Sequence, residues 1–229
     1  MTETAHPRSI RSFVVRGGRI TDAQQRALDE SWPRYGVDFE PRQLDLDALF
    51  GRSAPRTLEI GFGNGENLLT LATNHPERDY FGIEVHKPGV GRLLLSAEKQ
   101  NLTNVRASCH DAVEVLNQQI APGSFEEVLV LFPDPWHKKR HHKRRLIQPT
   151  FVECIADCLK PRGEFHLATD WAPYAQYMLE VLNACARFTN ISPAGDYVPR
   201  DAMRVQTRFE KRGQRLGHDV WDLAFTRLS

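Results

Sequence analysis

From Arg56 onward, apolar runs alternate with amphipathic stretches. "RTLEIGFG" reads as a buried strand entering a glycine turn, and "NGENLLTLATNHP" as a helix closed by Pro76. "DYFGIEV" predicts a second strand and "VGRLLLSAEKQ" a second helix. "NVRASCHDA" predicts a third strand that ends in acid. "EEVLVLFPDP" predicts a fourth, with the unbroken apolar run Val128 to Leu131 suited to burial on both faces. In "PTFVECIADCLK", Phe151, Ile155 and Cys158 or Leu159 share one helical face, and Pro149 suits the first turn. "GEFHLATDW" predicts a fifth strand, "PYAQYMLEVLNACA" a helix and "VWDLAFTRL" a last strand. Ahead of this block, Thr21 and Gln24 have the spacing of a capping box, and Pro33 closes a short helix.

Strands alternating with helices imply an α/β fold, with a mostly parallel sheet covered by helices on both faces. Ligands of such sheets bind at the carboxyl ends of the strands. The residues that end each strand are therefore the first candidates for chemistry.

The 229 residues suit one sizeable core, read as a single domain over 1–229 with residues 1–40 as an arm plus a short helix. Arg8, Arg11, Arg16 and Arg19 make that arm basic. No apolar run is long enough to span a bilayer, and "MTETAHPRSIRSF" has no secretory apolar stretch, so the expected location is cytoplasmic. Cys109, Cys154, Cys158 and Cys185 show no CxxC spacing and read as reduced thiols.

"EIGFGNGE" places Gly61, Gly63 and Gly65 between a strand and a helix, where glycine permits a tight turn and close approach of a ligand. A dinucleotide fingerprint would need glycine or alanine at position 66; Glu66 stands there and disfavours a nicotinamide cofactor. Glu59, two residues ahead of the turn, argues against a phosphate ligand and for a cationic one. S-adenosylmethionine, with a sulfonium and an ammonium and no phosphate, fits. Glu84 ends the second strand 23 residues after Gly61, where an acid accepts bonds from ribose hydroxyls. Asp111 ends the third, where adenine would lie. The plainer alternatives are a glycine turn without ligand and, for Asp111, a helix cap.

The net charge of +1 hides a focus of positive charge. Lys138 to Arg145 contains six Lys or Arg and no acid, while the remaining residues carry 24 basic and 29 acidic side chains. Such a cluster either forms a solvated face or meets a polyanion. His137, His141 and His142 have no cysteine nearby and no zinc spacing, so no metal is expected; they read as polar donors partly charged near neutral pH.

"EIGFGNGE", "GIEVH", "LFPDPWHKKRHHKRRL", "ATDW" and "TRFEKRGQRLGHDVWDL" resemble the bacterial form of the tRNA (guanine-N7-)-methyltransferase family, from about Arg11 to the C-terminus. The resemblance implies a Rossmann-like methyltransferase fold with an antiparallel C-terminal strand. It implies cofactor contacts at Glu59, Glu84, Asp111 and Asp134, beside the glycines Gly61, Gly63 and Gly65, and Asp134 as the catalytic residue. It implies substrate contacts at Lys138, Asp170, Thr207, Arg208, Phe209 and Glu210, and RNA contacts at Arg140, His141, His142, Lys143, Arg144 and Arg145. It further implies tRNA as partner, methylated at its variable-loop guanine. No obligatory protein partner is expected, which leaves a monomer or weak homodimer.

Guanine N7 has an in-plane lone pair and no proton, so transfer to it needs alignment more than a strong base. The guanine becomes cationic, and a nearby carboxylate stabilises that charge. Asp134 and Asp170, at the ends of strands four and five, are placed for this and for the donors on the Watson–Crick edge. Alternatively Asp134 is only a turn-forming Asp-Pro. Trp136 and Phe209 would stack on a base or else serve as core aromatics. Lys138 to Arg145 would neutralise flanking phosphates; six contacts give a log K against log[salt] slope of roughly −4 to −5. A second basic region, Arg200 to Arg215, would hold the other side of the RNA. The competing readings are a methyltransferase for another RNA or guanine, a non-catalytic RNA-binding protein of the same fold, and, least favoured, a dehydrogenase.

Overall fold

A computed structural model describes residues 11–13, 18–200, 210 and 219–229. Eight strands form one sheet: β1 (Gly36–Val37), β2 (Arg56–Ile60), β3 (Asp79–Ile83), β4 (Val105–Ser108), β5 (Phe125–Leu131), β6 (Leu159–Thr169), β7 (Phe188–Asn190) and β8 (Trp221–Arg227). Their order is β1-β4-β3-β2-β5-β6-β8-β7. The pairs from β1 through β6 are parallel, and β8 runs antiparallel to both β6 and β7. The chain builds outward from β2 through β3 to β4, then returns to the other side of β2 with β5. That reversal opens a crevice at the carboxyl end of β2, the usual ligand position in such sheets.

Strand side chains alternate between two cores. Leu58, Ile60, Phe81, Ile83, Val128, Val130, Phe165 and Leu167 face helices α6 (Ala112–Gln118), α7 (Pro149–Cys158) and α8 (Ala172–Ala184). Tyr80, Val105, Ala107, Leu129, Leu131 and Ala168 face α1 (Asp22–Glu30), α4 (Glu66–Asn74) and α5 (Lys87–Lys99). Every residue of β2 and β3 is buried. At roughly 1.5–3 kcal/mol for each buried Leu, Ile, Val or Phe, the central strands anchor the turns that follow them.

The N-terminal capping box is present: the Thr21 hydroxyl accepts from Gln24 N, and Gln24 Oε1 accepts from Thr21 N. Pro33 opens the short helix α2 (Trp32–Tyr35), because a proline N lacks only a donor that the first turn leaves unpaired. Two further helices, α3 (Leu46–Phe50) and α6, and the short strands β1 and β7 were not foreseen. The fifth predicted strand begins earlier, at Leu159, so "LKPRG" belongs to β6. Within the basic run, Lys139–Arg144 forms a 3₁₀ helix.

Candidate active site

The glycine turn leaves β2 at the crevice. Gly61, Gly63 and Gly65 have φ of +75°, +58° and +76°, a region that other residues enter at a cost. A Cβ added at Gly61 or Gly63 would meet no atom within 4 Å, so this face of the turn is open to a ligand. One at Gly65 would strike Leu93, and one at Gly89 the carbonyl of Gly63 at 2.1 Å, so α5 abuts the turn from behind. Gly65 is the N-cap of α4.

Glu59 is 3% exposed and accepts a bond from Asn67 Nδ2 at 3.1 Å, from the first turn of α4. Burial pushes its carboxyl up to about 8; Asn67 works against this, and Glu127 and Glu84 add to it. Glu84 follows β3. Its Oε2 accepts from Gly63 N at 2.8 Å, and its Oε1 accepts from Val85 N and His86 N at 2.7 and 3.0 Å. The carboxylate thus ties the turn to β3 and keeps acceptor capacity on Oε2 for a ligand hydroxyl. Asp111 caps α6 by accepting from Val113 N at 2.9 Å, as its plainer reading held.

Across the crevice, Phe132 N donates to Ala168 O at 2.8 Å. Asp134 and Asp170 each lie two residues beyond that link, on adjacent strand ends. Asp134 is exposed and has no hydrogen bond or ion pair among the described residues; Asp170 is half-buried. The turn carrying Asp134 is strained: Phe132 and Trp136 have φ of +53° and +45°. Three contacts hold it besides the Phe132 bond. Trp136 Nε1 donates to Ser12 O at 3.0 Å, Arg145 Nε donates to Pro135 O at 2.9 Å, and His137 packs edge-on against Trp171 at 4.3 Å.

The basic run divides by function. Lys138, Lys139, Arg140 and Lys143 are exposed. Arg144 lies over the Trp136 ring at 4.1 Å and donates to Arg11 O and Phe13 O. Arg145, expected among the RNA contacts, is buried at 4% exposure, over the rings of Tyr174 and Tyr177 at 4.7 and 5.3 Å. Its Nη2 lies 3.2 Å from His142 Nε2 and, since arginine only donates, that nitrogen is the acceptor. His141 is pushed below the usual histidine range by desolvation and then by Arg140, Lys138, Arg144 and Lys143. His141 is thus less readily charged near neutral pH than expected. With Arg144 covering it, Trp136 does not offer that ring face to a base.

Glu210, expected at the substrate, is fully buried and pairs with Arg200 at 3.3 Å. Thr207, Arg208 and Phe209 lie outside the described residues, as does most of the second basic region. No group of His, Cys, Asp and Glu among the described residues could hold a metal, and none of their helices is long and apolar enough to cross a membrane. Asn67, Tyr174 and Tyr177 were not anticipated. Asn67 had one usable signal, a polar side chain on the apolar face of a helix that begins at the glycine turn.

Residues 53–223 match a family model described as "Putative methyltransferase". The tRNA (guanine-N(7)-)-methyltransferase of Photorhabdus laumondii subsp. laumondii is 56% identical over 221 residues, covering 96% of this chain and 92% of the relative. That of Stutzerimonas stutzeri is 53% identical over 226 residues, covering 99% and 95%. Among solved structures, the 16S rRNA methyltransferase KamB superposes with a TM-score of 0.59 at 16% identity, covering 82% of this chain and 95% of that one, which shows a common fold. At these identities, over nearly its whole length, the chain belongs to the tRNA (guanine-N(7)-)-methyltransferase family.

Proposed function

We infer that this chain transfers a methyl group from S-adenosylmethionine to N7 of a guanine in tRNA. One observation carries the reading: an open glycine turn flanked by the buried Glu59 and by Glu84 lies across the crevice from an exposed Asp134 on a strained turn. Among the described residues no arginine or lysine is within ion-pair distance of Glu59 or Glu84, so these acceptors suit a cation. When bound, the cofactor supplies an electrophilic methyl. Glu59 would answer its positive charge, and Glu84 its ribose, with Gly61 and Gly63 giving the backbone approach and Asp111 lying toward the adenine.

On the substrate side, Asp134 orients the guanine and stabilises the positive charge that develops on it, with Asp170 assisting from the next strand end. Lys138, Lys139, Arg140 and Lys143 carry the flanking phosphates. Use of the variable-loop guanine, a cytoplasmic location, action as one domain and no need of a second protein complete the reading. Incubation with S-adenosylmethionine and unmodified tRNA transcripts, followed by nucleoside mass spectrometry, should yield 7-methylguanosine. Asp134→Ala should reduce it at least about 100-fold while cofactor affinity stays within a few-fold. Full turnover in that variant would remove Asp134 from the chemistry.

A further inference from the structure

We propose that Arg145 is a positioning residue for methyl transfer, clamping the Asp134 turn to α8, and is not a phosphate contact. The proposal rests on the reading that Asp134 faces the guanine.

Arg145 is the last of six cations in eight residues, and charge alone would assign it to the RNA. The geometry points inward. Its guanidinium is surrounded by Tyr174, Tyr177, His142 and the Pro135 carbonyl, and among the described residues no carboxylate lies within ion-pair distance. Burying a cation without a counterion is costly, and the chain meets that cost with two aromatic faces and two directed bonds. Both rings stand on α8, which is docked on the sheet through Tyr174, Met178 and Leu182. Tyr174 is itself held by accepting from Ile147 N at 3.2 Å, and Tyr177 by donating to Gln148 Oε1 at 2.7 Å. Arg145 therefore carries the rigidity of the helix to the peptide carbonyl of Pro135, the residue after Asp134.

That peptide needs restraint. Between Phe132 and Trp136, both at positive φ, the chain is Pro-Asp-Pro, and neither proline can donate a backbone bond. Asp134 is exposed and has no bond of its own among the described residues, so they place it only through the turn that carries it. A displacement of about 1 Å at a reacting group costs on the order of 100-fold in rate. A lysine at position 145 would keep the charge but lose the planar stacking and the Nε bond.

Arg145→Lys separates the two roles. A positioning residue predicts that kcat falls about 10- to 100-fold. S-adenosylmethionine affinity, tRNA affinity and the slope of log K against log[salt] should all stay unchanged. Tyr177→Leu, which removes one stacking face and no charge, should shift kcat the same way. A phosphate contact predicts near-normal kcat in Arg145→Lys, and in Arg145→Gln a slope shallower by about one; that result would overturn the proposal. If Arg145→Lys loses its thermal transition, Tyr177→Leu decides by the same split. Asp134→Ala, run alongside, distinguishes the premises. Full turnover there sinks the reading of Asp134, whereas an inactive Asp134→Ala beside a fully active Arg145→Lys sinks only the clamp.

Discussion

Glu59 illustrates how one side chain can couple ligand chemistry to stability. Its carboxyl is raised by burial to about 8 from an ordinary 4.5, so the folded chain holds a proton through neutral pH that the unfolded chain has released. The stability this confers is complete below the unfolded value and is lost as pH rises toward about 8. Glu59→Gln should flatten that dependence. The difference in Tm between variant and parent should move in the variant's favour from pH 5 to pH 9, and parallel curves would exclude the linkage. A cationic ligand favours the ionised form, so parent affinity for S-adenosylmethionine should rise with pH up to about 8, with proton release visible by calorimetry in two buffers. The acid itself was legible in the sequence, because a strand, a glycine turn and a carboxylate follow one another within a few residues. Its partner Asn67 was less so: a polar residue on an apolar helix face was the one signal, and the fold shows that this face looks back at the strand end.

At the scale of elements, the basic run shows what charge counting misses. Two of its six cations are engaged within the chain: Arg144 with Trp136 and the arm, Arg145 with α8. Four exposed cations, if all contact phosphates, give a slope of log K against log[salt] of roughly −3 to −4, shallower than the value for six. Titration of tRNA binding from 50 to 300 mM salt measures it, and a slope of −5 or steeper would show phosphate contacts beyond these four, from the inward pair or from the second basic region. Long periodic elements, β2 to β6 and α4, α5, α7 and α8, were readable because each buries several residues at a fixed period. β1 and β7, at two and three residues, are too short to show one. The inward turn of Arg145 was hidden for a related reason: Tyr174 and Tyr177 lie about 30 residues on and meet it only after α8 packs.

For the whole molecule, the longest reach in the site is from the arm. Ser12 O accepts from Trp136, 124 positions away, and the carbonyls of Arg11 and Phe13 accept from Arg144. The arm was read from its arginines as a source of charge; the described residues use its backbone as a brace on the Asp134 turn. A chain lacking residues 1–13 should keep its cofactor affinity and lose turnover several-fold, whereas replacing Ser12 by alanine, which leaves the carbonyl in place, should change little. Equal losses in both would assign the effect to side chains.

The order of strands in the sheet also bears on how the protein is made. A ribosome delivers β7 about 30 residues before β8, yet β8 occupies the slot between β6 and β7, and among the described strands β7 pairs with no other. Until Trp221–Arg227 has emerged, β7 has no neighbour to join, and β6, eleven residues long, presents a bare edge beside Phe165 and Leu167. A nascent chain paused in that interval carries a long strand with one edge unpaired, the kind of surface that captures other chains. Translation through this interval is therefore the period in which the protein most depends on speed or on a chaperone to reach its folded state.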